Sequence, residues 1–362
     1  MRTRLFLKAW TLWLGSVLCW PITASAQAWP FAASPQGWSI APSFQRWSVA
    51  AATQGLPIAP SAQAWPSGPV KMVVPTPAGS APDIVARLLG EQLAKTWGQP
   101  IVVDNRAGAG GIPAMSAFKR AEPNGLTLGL FHTAVVALTP HLFKNPMFNV
   151  ETDIVTVSTV VNSPLAIAVN PKLGVTSLDE LFKLAKARQG KLVFAAPLLN
   201  SVPHLVWEEL SRGAGAEFLV VPHNGSASSI TATLAGDGGD VTVDAPAPLM
   251  PHFKTGRLQA LAITSGKRLP GLESYRTVSE TIPGYEAAGW FALFAPARTP
   301  PELLERINRD VQRILQQPEV VARLADLGLY PALATPAASA EFVKQDRARW
   351  HEVIRQLGIQ PQ

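Results

Sequence analysis

The residues of this sequence that are best suited to chemistry lie in polar segments directly after short apolar runs. The first segment is 76–80, followed by Asp83. Where a strand leads through such a loop into a helix, unpaired backbone N–H groups point outward and the helix dipole adds positive potential. An ordinary strand-to-helix connection with Asp83 as N-cap is the competing interpretation. The loop from Thr76 to Ser80 could therefore hold an anion without any Lys or Arg.

Two further polar segments occupy the same position after other apolar runs. His132 and Thr133 follow the run at 127–131, and residues 200–204 follow the run at 192–195. Ligands of open parallel sheets bind beyond the carboxyl ends of the strands, so all three loops should lie on the binding side. We predict that they close on one small ligand. The third segment reads Asn200-Ser201-Val202-Pro203-His204.

Asp240 and Asp244 form a pair of carboxylates that could perform acid–base chemistry. They lie four residues apart, on and just after an apolar run, so an extended chain would place both on the same side. No nucleophile or positioned partner is evident near them. We therefore predict that Asp244 caps a helix or hydrogen-bonds to backbone near the cleft.

Motifs for enzymatic or metal chemistry are weak. The sequence has no GxSxG, HExxH or Walker motif, and the glycines at 108–111 do not form a GxGxxG fingerprint. The six histidines are scattered without the spacing of metal ligands. We predict no catalytic residues, no metal site and no cofactor.

The composition indicates a globular protein of two domains. The chain has 362 residues, of which 47% are apolar and 15% charged. Without the three cations of the first 26 residues, 28 Lys and Arg face 25 Asp and Glu, a formal charge of +3. Because these cations are dispersed, we expect no nucleic-acid binding.

The N-terminus has the pattern of a Sec-type signal peptide over 1–26. Three cations precede an apolar run at 9–18, and Ala24-Ser25-Ala26 offers a cleavage site. The run is shorter than the roughly 20 residues of a membrane span. Cys19 lies within this segment, so the mature protein would contain no thiol. We predict a freely diffusing periplasmic protein.

A duplicated segment follows the signal peptide. Residues 25–30 recur unchanged at 61–66, and Trp29, Trp47 and Trp65 lie 18 residues apart. We interpret 27–66 as an extended Pro/Ser/Trp linker with two 18-residue repeats. A docking patch built on its tryptophans is the alternative.

From residue 70 onward, strand and helix patterns alternate, which indicates parallel sheets flanked by helices. The last 75 residues favour three helices with no intervening strand. Strands are predicted at 70–74, 101–103, 127–131, 165–169, 192–195, 218–221, 241–243 and 260–264. Helices are predicted from 83, at 177–188, 202–213 and 226–235, from 300, at 318–327 and at 337–357.

Several stretches resemble the Bug-type receptors, the extracytoplasmic substrate-binding proteins of tripartite tricarboxylate transporters. The resemblance extends over 66–360. Its motifs include VVPTPAGSAPDIVARLL (73–89), VVDNRAGAGG (102–111), GRLQALAITSGKR (256–268) and PGYEAAGWFALFAPARTPPELLERIN (283–308).

The resemblance implies an α/β fold like that of type II periplasmic-binding proteins, with a ligand cleft between two lobes. Lobe 1 would comprise 67–165 and 288–362, and lobe 2 would comprise 166–287. The family implies a small carboxylate ligand, held largely by backbone amides and waters, and the membrane subunits of a transporter as partners. We expect a monomer. The contacts implied are Thr76, Ala78, Gly79, Ser80, Asp83 and Thr133 in lobe 1, and Asn200, Ser201, His204 and Asp244 in lobe 2.

The sequence departs from the family pattern near this site. Ser80 replaces the usual second glycine, Pro82 a common threonine, and 196–200 (Ala-Pro-Leu-Leu-Asn) a Ser-Ser-Gly-x-Gly loop. His223-Asn224 replaces a common Tyr-Lys pair. The changes at 196–200 should make the second-lobe wall more apolar and stiffer, which favours an apolar or aromatic carboxylate over a citrate-like one.

Two alternative functions would use the same cleft. A sensory receptor would present its closed form to a membrane kinase instead of a transporter. A secreted enzyme would use Asp240, Asp244 or a histidine of the cleft as a base.

Overall fold

The computed structural model describes residues 65–361. The predicted signal peptide, Cys19 and the linker as far as residue 64 lie outside the described residues. Trp65, predicted as the end of the linker, packs edge-on against Trp97 with ring centroids 4.7 Å apart. Its indole N–H donates to the carbonyl of Asn124 at 3.0 Å, so the folded body includes this tryptophan.

The described residues form eleven strands in two sheets. The strands are β1 (Val70–Val74), β2 (Ile101–Asn105), β3 (Thr127–His132), β4 (Ile154–Pro164), β5 (Ala166–Val169), β6 (Val193–Ala196), β7 (Leu219–Pro222), β8 (Val241–Asp244), β9 (Gln259–Ile263), β10 (Ala288–Pro296) and β11 (Tyr330–Pro331). The first lobe contains a six-stranded sheet in the order β11-β4-β10-β3-β1-β2. The second contains a five-stranded sheet in the order β7-β6-β8-β5-β9.

Helices cover both sheets. The α-helices of the described residues are α1 (Ala81–Trp97), α2 (Ile112–Phe118), α3 (Thr139–Leu142), α4 (Val150–Asp153), α5 (Leu178–Ala187), α6 (Val202–Gly213), α7 (Ser226–Ala235), α8 (Pro246–Lys254), α9 (Pro301–Leu315), α10 (Pro318–Asp326) and α11 (Pro336–Gln356). A π-helical turn at Ala134–Leu138 follows β3 directly. None of the helices in 65–361 is long and apolar enough to cross a membrane.

The sheets are mixed, whereas the sequence pattern predicted parallel ones. β1 pairs in parallel with β2 and β3, but β10 runs antiparallel to both β3 and β4. In the second sheet, β5 runs antiparallel to β8 and β9. The antiparallel strands are those that carry the chain between the lobes, and the direction in which they pair depends on partners far away in sequence.

The prediction of a C-terminal region without intervening strands is wrong. β11 lies between α10 and α11 and pairs with Asn162 and Val161 of β4. β4, β10 and α8 were likewise not predicted. β10 is a nearly continuous apolar run, buried on both faces, and such a run has no period that distinguishes strand from helix.

The two sheets are connected by two crossing segments, 164–166 and 263–288, and Thr264 joins them. The Thr264 hydroxyl accepts a hydrogen bond from the Leu165 N–H at 2.9 Å and donates one to the Ala287 carbonyl. Its backbone N–H donates to Leu165 O at 2.8 Å, and its carbonyl accepts from Ala287 N at 3.0 Å. Thr264 is fully buried, so these bonds have no competing water.

Replacing Thr264 with valine should lower the free energy of unfolding by about 2 kcal/mol, because the Leu165 N–H and the Ala287 carbonyl each lose a buried partner. Valine has nearly the same shape, so packing changes little. Chemical denaturation measures the loss, and Thr264→Ser, which keeps the hydroxyl, is the matched control. Equal stability of T264V and the wild type would show that the hydroxyl is not what joins the crossings.

The lobe limits at 165/166 and 287/288 stay predictions. The six-stranded sheet takes its strands from 70–164 and 288–331, and the five-stranded sheet from 166–263.

Candidate ligand-binding site

A cavity of about 200 Å³ lies where the two sheets meet. The first lobe lines it with the end of β3, the end of β4 and the start of β10, and the second lobe with the start of α6 and the end of β8. The lining residues are His132, Thr133, Ala134, Ser163, Leu165, Val202, Pro203, Asp244, Ala245, Gly289, Trp290 and Phe291.

Two of the predicted residues, His132 and Thr133, form the first-lobe wall at the end of β3. His132 lies edge-on to Phe291, with ring centroids 6.4 Å apart. Burial lowers the pKa of its imidazole to about 4, so the ring is neutral at physiological pH. The hydroxyl of Thr133 accepts from the Trp290 N–H at 2.7 Å and is 3.3 Å from the Trp290 carbonyl, so it secures β10 beside the cavity.

Asp244 is the acidic residue of the cavity and belongs to the second lobe. It is 7% exposed, and its Oδ1 accepts from the Ala245 N–H at 2.7 Å, as predicted for a backbone contact. Oδ2 is buried and has no hydrogen-bond partner among the described residues. Burial raises the pKa of this carboxyl, and the nearby Ser226 hydroxyl and the Ala245 N–H only partly oppose that effect.

The cavity offers an anion backbone N–H groups in place of cationic side chains. No Lys or Arg of the described chain lines it. Helix α6 begins at Val202 and the π-helical turn at Ala134, so two helical N-termini that carry N–H groups lie there, whereas α8 begins with Pro246, which has none. The first N–H groups of a helix have no partner within it, and they favour negative charge.

The 76–80 loop and Asp83 do not line this cavity. Asp83 is buried and accepts from the Gly79 N–H at 2.8 Å, from Asn105 Nδ2 at 2.9 Å and from Arg87 Nε at 3.0 Å. The Arg87 guanidinium is the main cause that lowers the pKa of Asp83 to about 2. The Asp83 carboxylate is therefore committed to shaping the loop, with Ser80, not Asp83, at the N-cap of α1.

Within that loop, the remaining candidates differ in exposure. Thr76 and Ser80 are half-buried, with their hydroxyl oxygens 2.7 Å apart, and the Ser80 hydroxyl donates to Pro77 O at 2.7 Å. Ala78 and Gly79 are exposed, and Gly79 has φ +81°, a conformation that favours glycine. Because β1 and β3 are parallel neighbours, the loop lies at the same sheet edge as His132.

The three second-lobe candidates lie beside the cavity and serve mainly to fold its wall. His204 is buried, and its Nδ1 accepts from the Asn200 N–H at 3.1 Å. Burial lowers the His204 pKa. Asn200 has φ +58°, which this side chain tolerates, and the Ser201 hydroxyl donates to Leu198 O at 2.6 Å. Val202 and Pro203, which lie between Ser201 and His204 in the chain, line the cavity instead.

Asp240 is separated from the cavity by the length of β8. Its Oδ2 accepts from the Val193 N–H at 2.8 Å, and its backbone N–H donates to Val193 O at 2.8 Å. These bonds hold the start of β6, so this carboxylate has a structural role.

Sequence reasoning missed the cavity residues that β4 and β10 supply. Ser163 pairs with Gly289 across the antiparallel β4–β10 ladder, and Phe291 pairs with His132 of β3. The only local signal was the apolar run at 288–296, whose glycine marks a close approach.

A larger cavity of about 610 Å³ lies within the second lobe, between α5, α6 and residues 281–285. It contains none of the predicted site residues. We assign the site to the smaller cavity because both lobes line it and because its lining includes the predicted residues His132, Thr133 and Asp244.

Residues 85–359 match the family described as the tripartite tricarboxylate transporter family receptor, TctC. The chain belongs to this family. It is 36% identical to the Protein BugT of Bordetella pertussis over 292 residues, which are 80% of this chain and 89% of BugT. A second relative, a UPF0065 protein of Bordetella bronchiseptica, is 32% identical over 81% of this chain and 87% of its own length.

Solved structures of TctC-type proteins show the same fold. R. palustris Rpa4515 with adipate is 30% identical, with a TM-score of 0.71 over 82% of this chain and 100% of that chain. MatC from Rhodopseudomonas palustris with bound malate is 29% identical, with a TM-score of 0.66 over 80% and 99%. The predicted α/β fold of the type II periplasmic-binding-protein kind, with two lobes and a cleft, is confirmed.

The TctC receptor is thus a periplasmic solute-binding protein of the Bug type. Its relatives are receptors and binding proteins, of which Rpa4515 was solved with adipate and MatC with malate.

Proposed function

We propose that this receptor captures a small carboxylate between its lobes and delivers it to the membrane subunits of a tripartite tricarboxylate-type transporter. The observation that carries the proposal is the 200 Å³ cavity, which both lobes line and where helical N-termini meet without a Lys or Arg. A carboxylate there would accept hydrogen bonds from backbone N–H groups. The solved relatives with adipate and malate support the same class of ligand.

Ligand binding would favour the closed arrangement of the lobes, because only then do both lobes contribute contacts. We assign His132, Thr133 and Asp244 to direct lining of the site. The 76–80 loop, supported by Asp83, and the Asn200, Ser201 and His204 segment would approach the ligand on closure. Export through the N-terminal signal peptide would place the receptor in the periplasm.

The body of the ligand is proposed to be apolar or aromatic. Most of the lining is apolar, including Leu165, Val202 and Phe291. Leu198 and Leu199, in the loop before α6, are 58% and 48% exposed. Covering these side chains with an apolar ligand body would remove apolar surface from water, which is favourable by about 25 cal/mol per Å².

Filling the cavity tests the proposal. Gly289 lines the cavity, and a Cβ there would meet Ser163 Cβ at 3.7 Å, an ordinary contact. Gly289→Leu should therefore fold but lose at least ~100-fold in carboxylate affinity, because its side chain takes the volume of the ligand. Calorimetry and thermal shift against mono-, di- and aromatic carboxylates measure binding.

Gly68→Leu is the matched control, because a Cβ at Gly68 meets nothing within 4 Å and Gly68 does not line the cavity. Saturable binding by the wild type and G68L, absent from G289L, is the expected result. Undiminished binding by G289L would place the ligand elsewhere. Recovery of the ligand chemically unchanged separates a receptor from a secreted enzyme, and pull-down from membranes separates a transporter from a sensor kinase.

A further inference from the structure

Asp244 has one carboxylate oxygen that the protein leaves without a partner. The residue is 7% exposed; Oδ1 is bonded to the Ala245 N–H, and Oδ2 is buried with no hydrogen bond among the described residues. A buried oxygen in this state costs free energy comparable to a lost hydrogen bond, and more when it is charged. A hydrogen-bond donor from outside the chain would satisfy this oxygen.

The wall of the cavity does not supply that donor. No Lys or Arg of the described residues lines it, and the neutral His132 imidazole, although one of its nitrogens carries a proton, makes no hydrogen bond to Oδ2. The Thr133 hydroxyl is directed to the Trp290 backbone. The Ser226 hydroxyl lies close enough to lower the pKa of the carboxyl, but Oδ2 has no hydrogen-bond partner among the described residues. A donor group on the occupant of the cavity would give Oδ2 the partner that the described residues do not provide.

The same carboxylate restricts what the occupant can be. A ligand carboxylate is favoured at the N-termini of α6 and the π-helical turn, but a ligand group that can only accept hydrogen bonds is repelled where it faces Asp244. The volume of about 200 Å³ is too small for the ligand to avoid Asp244. A hydroxyl or ammonium group facing Asp244 would instead donate to Oδ2.

We propose that Asp244 selects, among small carboxylates, those that carry a second group able to donate a hydrogen bond, a hydroxyl or an ammonium. The inference rests on the proposed function, since it concerns the same cavity and the same class of ligand. It makes the receptor specific for hydroxy- and amino-carboxylates over their deoxy and deamino counterparts. Discrimination of this kind is strong, because a site built to bond a donor leaves its polar atom unpaired when the donor is missing.

The experiment compares matched pairs of ligands on the full mature protein by calorimetry: propionate with lactate and alanine, succinate with malate, and benzoate with 3-hydroxybenzoate. The donor-bearing member of at least one pair should bind ~100-fold more tightly than its counterpart. Equal affinity within every pair that binds would overturn the inference and leave carboxylate capture intact. If none of these carboxylates nor any in the wider screen bound, the proposed function itself would fail.

Two variants test whether Asp244 causes the preference for ligands that carry a hydrogen-bond donor. Asp244→Asn keeps the shape of the side chain but removes its charge, so the preference within a pair should fall to a few-fold. Asp237→Asn is the matched control, because Asp237 is an exposed acid of the same lobe that does not line the cavity, and it should keep the full preference. Thermal unfolding checks that both variants are folded. If folded D244N kept the full preference, a group other than Asp244 would recognise the hydrogen-bond donor of the ligand.

Discussion

Replacing Asp83 with alanine is expected to lower the free energy of unfolding by about 3 kcal/mol and to weaken carboxylate binding at least ~10-fold. Asp83 is buried and bonds three donors at once, on Gly79, Asn105 and Arg87. Without the carboxylate, the Gly79 N–H and the Asn105 amide lose their partner. The 76–80 loop would then no longer be held in the conformation in which it could approach a ligand.

Chemical denaturation and calorimetry with a carboxylate hit measure the two effects of the Asp83 change. Arg87→Ala is the matched control, because it removes the same ion pair from its exposed side: the Arg87 side chain is 55% exposed and that of Asp83 only 2%. Such exposed partners contribute little, so R87A should keep most stability and affinity. If D83A lost stability but bound ligand as tightly as the wild type, the 76–80 loop would not belong to the site.

Acid should destabilise the protein through His132. The unfolded chain takes up a proton near the ordinary pKa of 6.5, whereas the folded protein takes it up only near 4. Between these values the unfolded state binds more protons, so stability falls as the pH is lowered through this range. The shift sets an upper limit of about 3 kcal/mol on the loss.

Unfolding free energies at pH 7 and pH 4 measure this effect, and His132→Gln should remove most of the His132 share of the loss. Asp244 acts in the opposite sense, because its raised pKa makes stability fall as the pH rises. Both proteins keep Asp244, so its contribution cancels in the difference between wild type and H132Q. His252→Gln, on α8 outside this cavity, is the control. Parallel pH profiles of the wild type and H132Q would contradict the assignment.

Local patterns predicted most elements of the fold. The apolar run at 70–74 is β1, and the bounds of α6 and α7 agree with the predicted 202–213 and 226–235. In α9, the 3.6-residue spacing placed Ile307 and Val311 inward, and both are buried. These features depend on neighbours along the chain, so the sequence contains their cause.

Local sequence patterns did not predict the strands that carry the chain between the lobes. β4 and β10 pair across more than 100 residues, and no local spacing reveals which partner or direction a buried apolar run will take. Ser163 and Gly289 enter the cavity only through that pairing. The predicted site residues have two different roles in the structure. His132, Thr133 and Asp244 line the cavity, whereas the side chains of Asp83 and His204 do not line it and hydrogen-bond to the backbone of Gly79 and Asn200.

By itself, the sequence determined the receptor family, the alternation of strands and helices, and the loops at the strand ends, because motifs and periodicity are local properties. Only the tertiary structure decided which polar atoms remain available to a ligand. Asp83 and Asp244 are both acids near strand ends, yet one has three donors and the other an oxygen with none. That difference depends on which distant groups surround each side chain once it is buried, and folding alone brings those groups together.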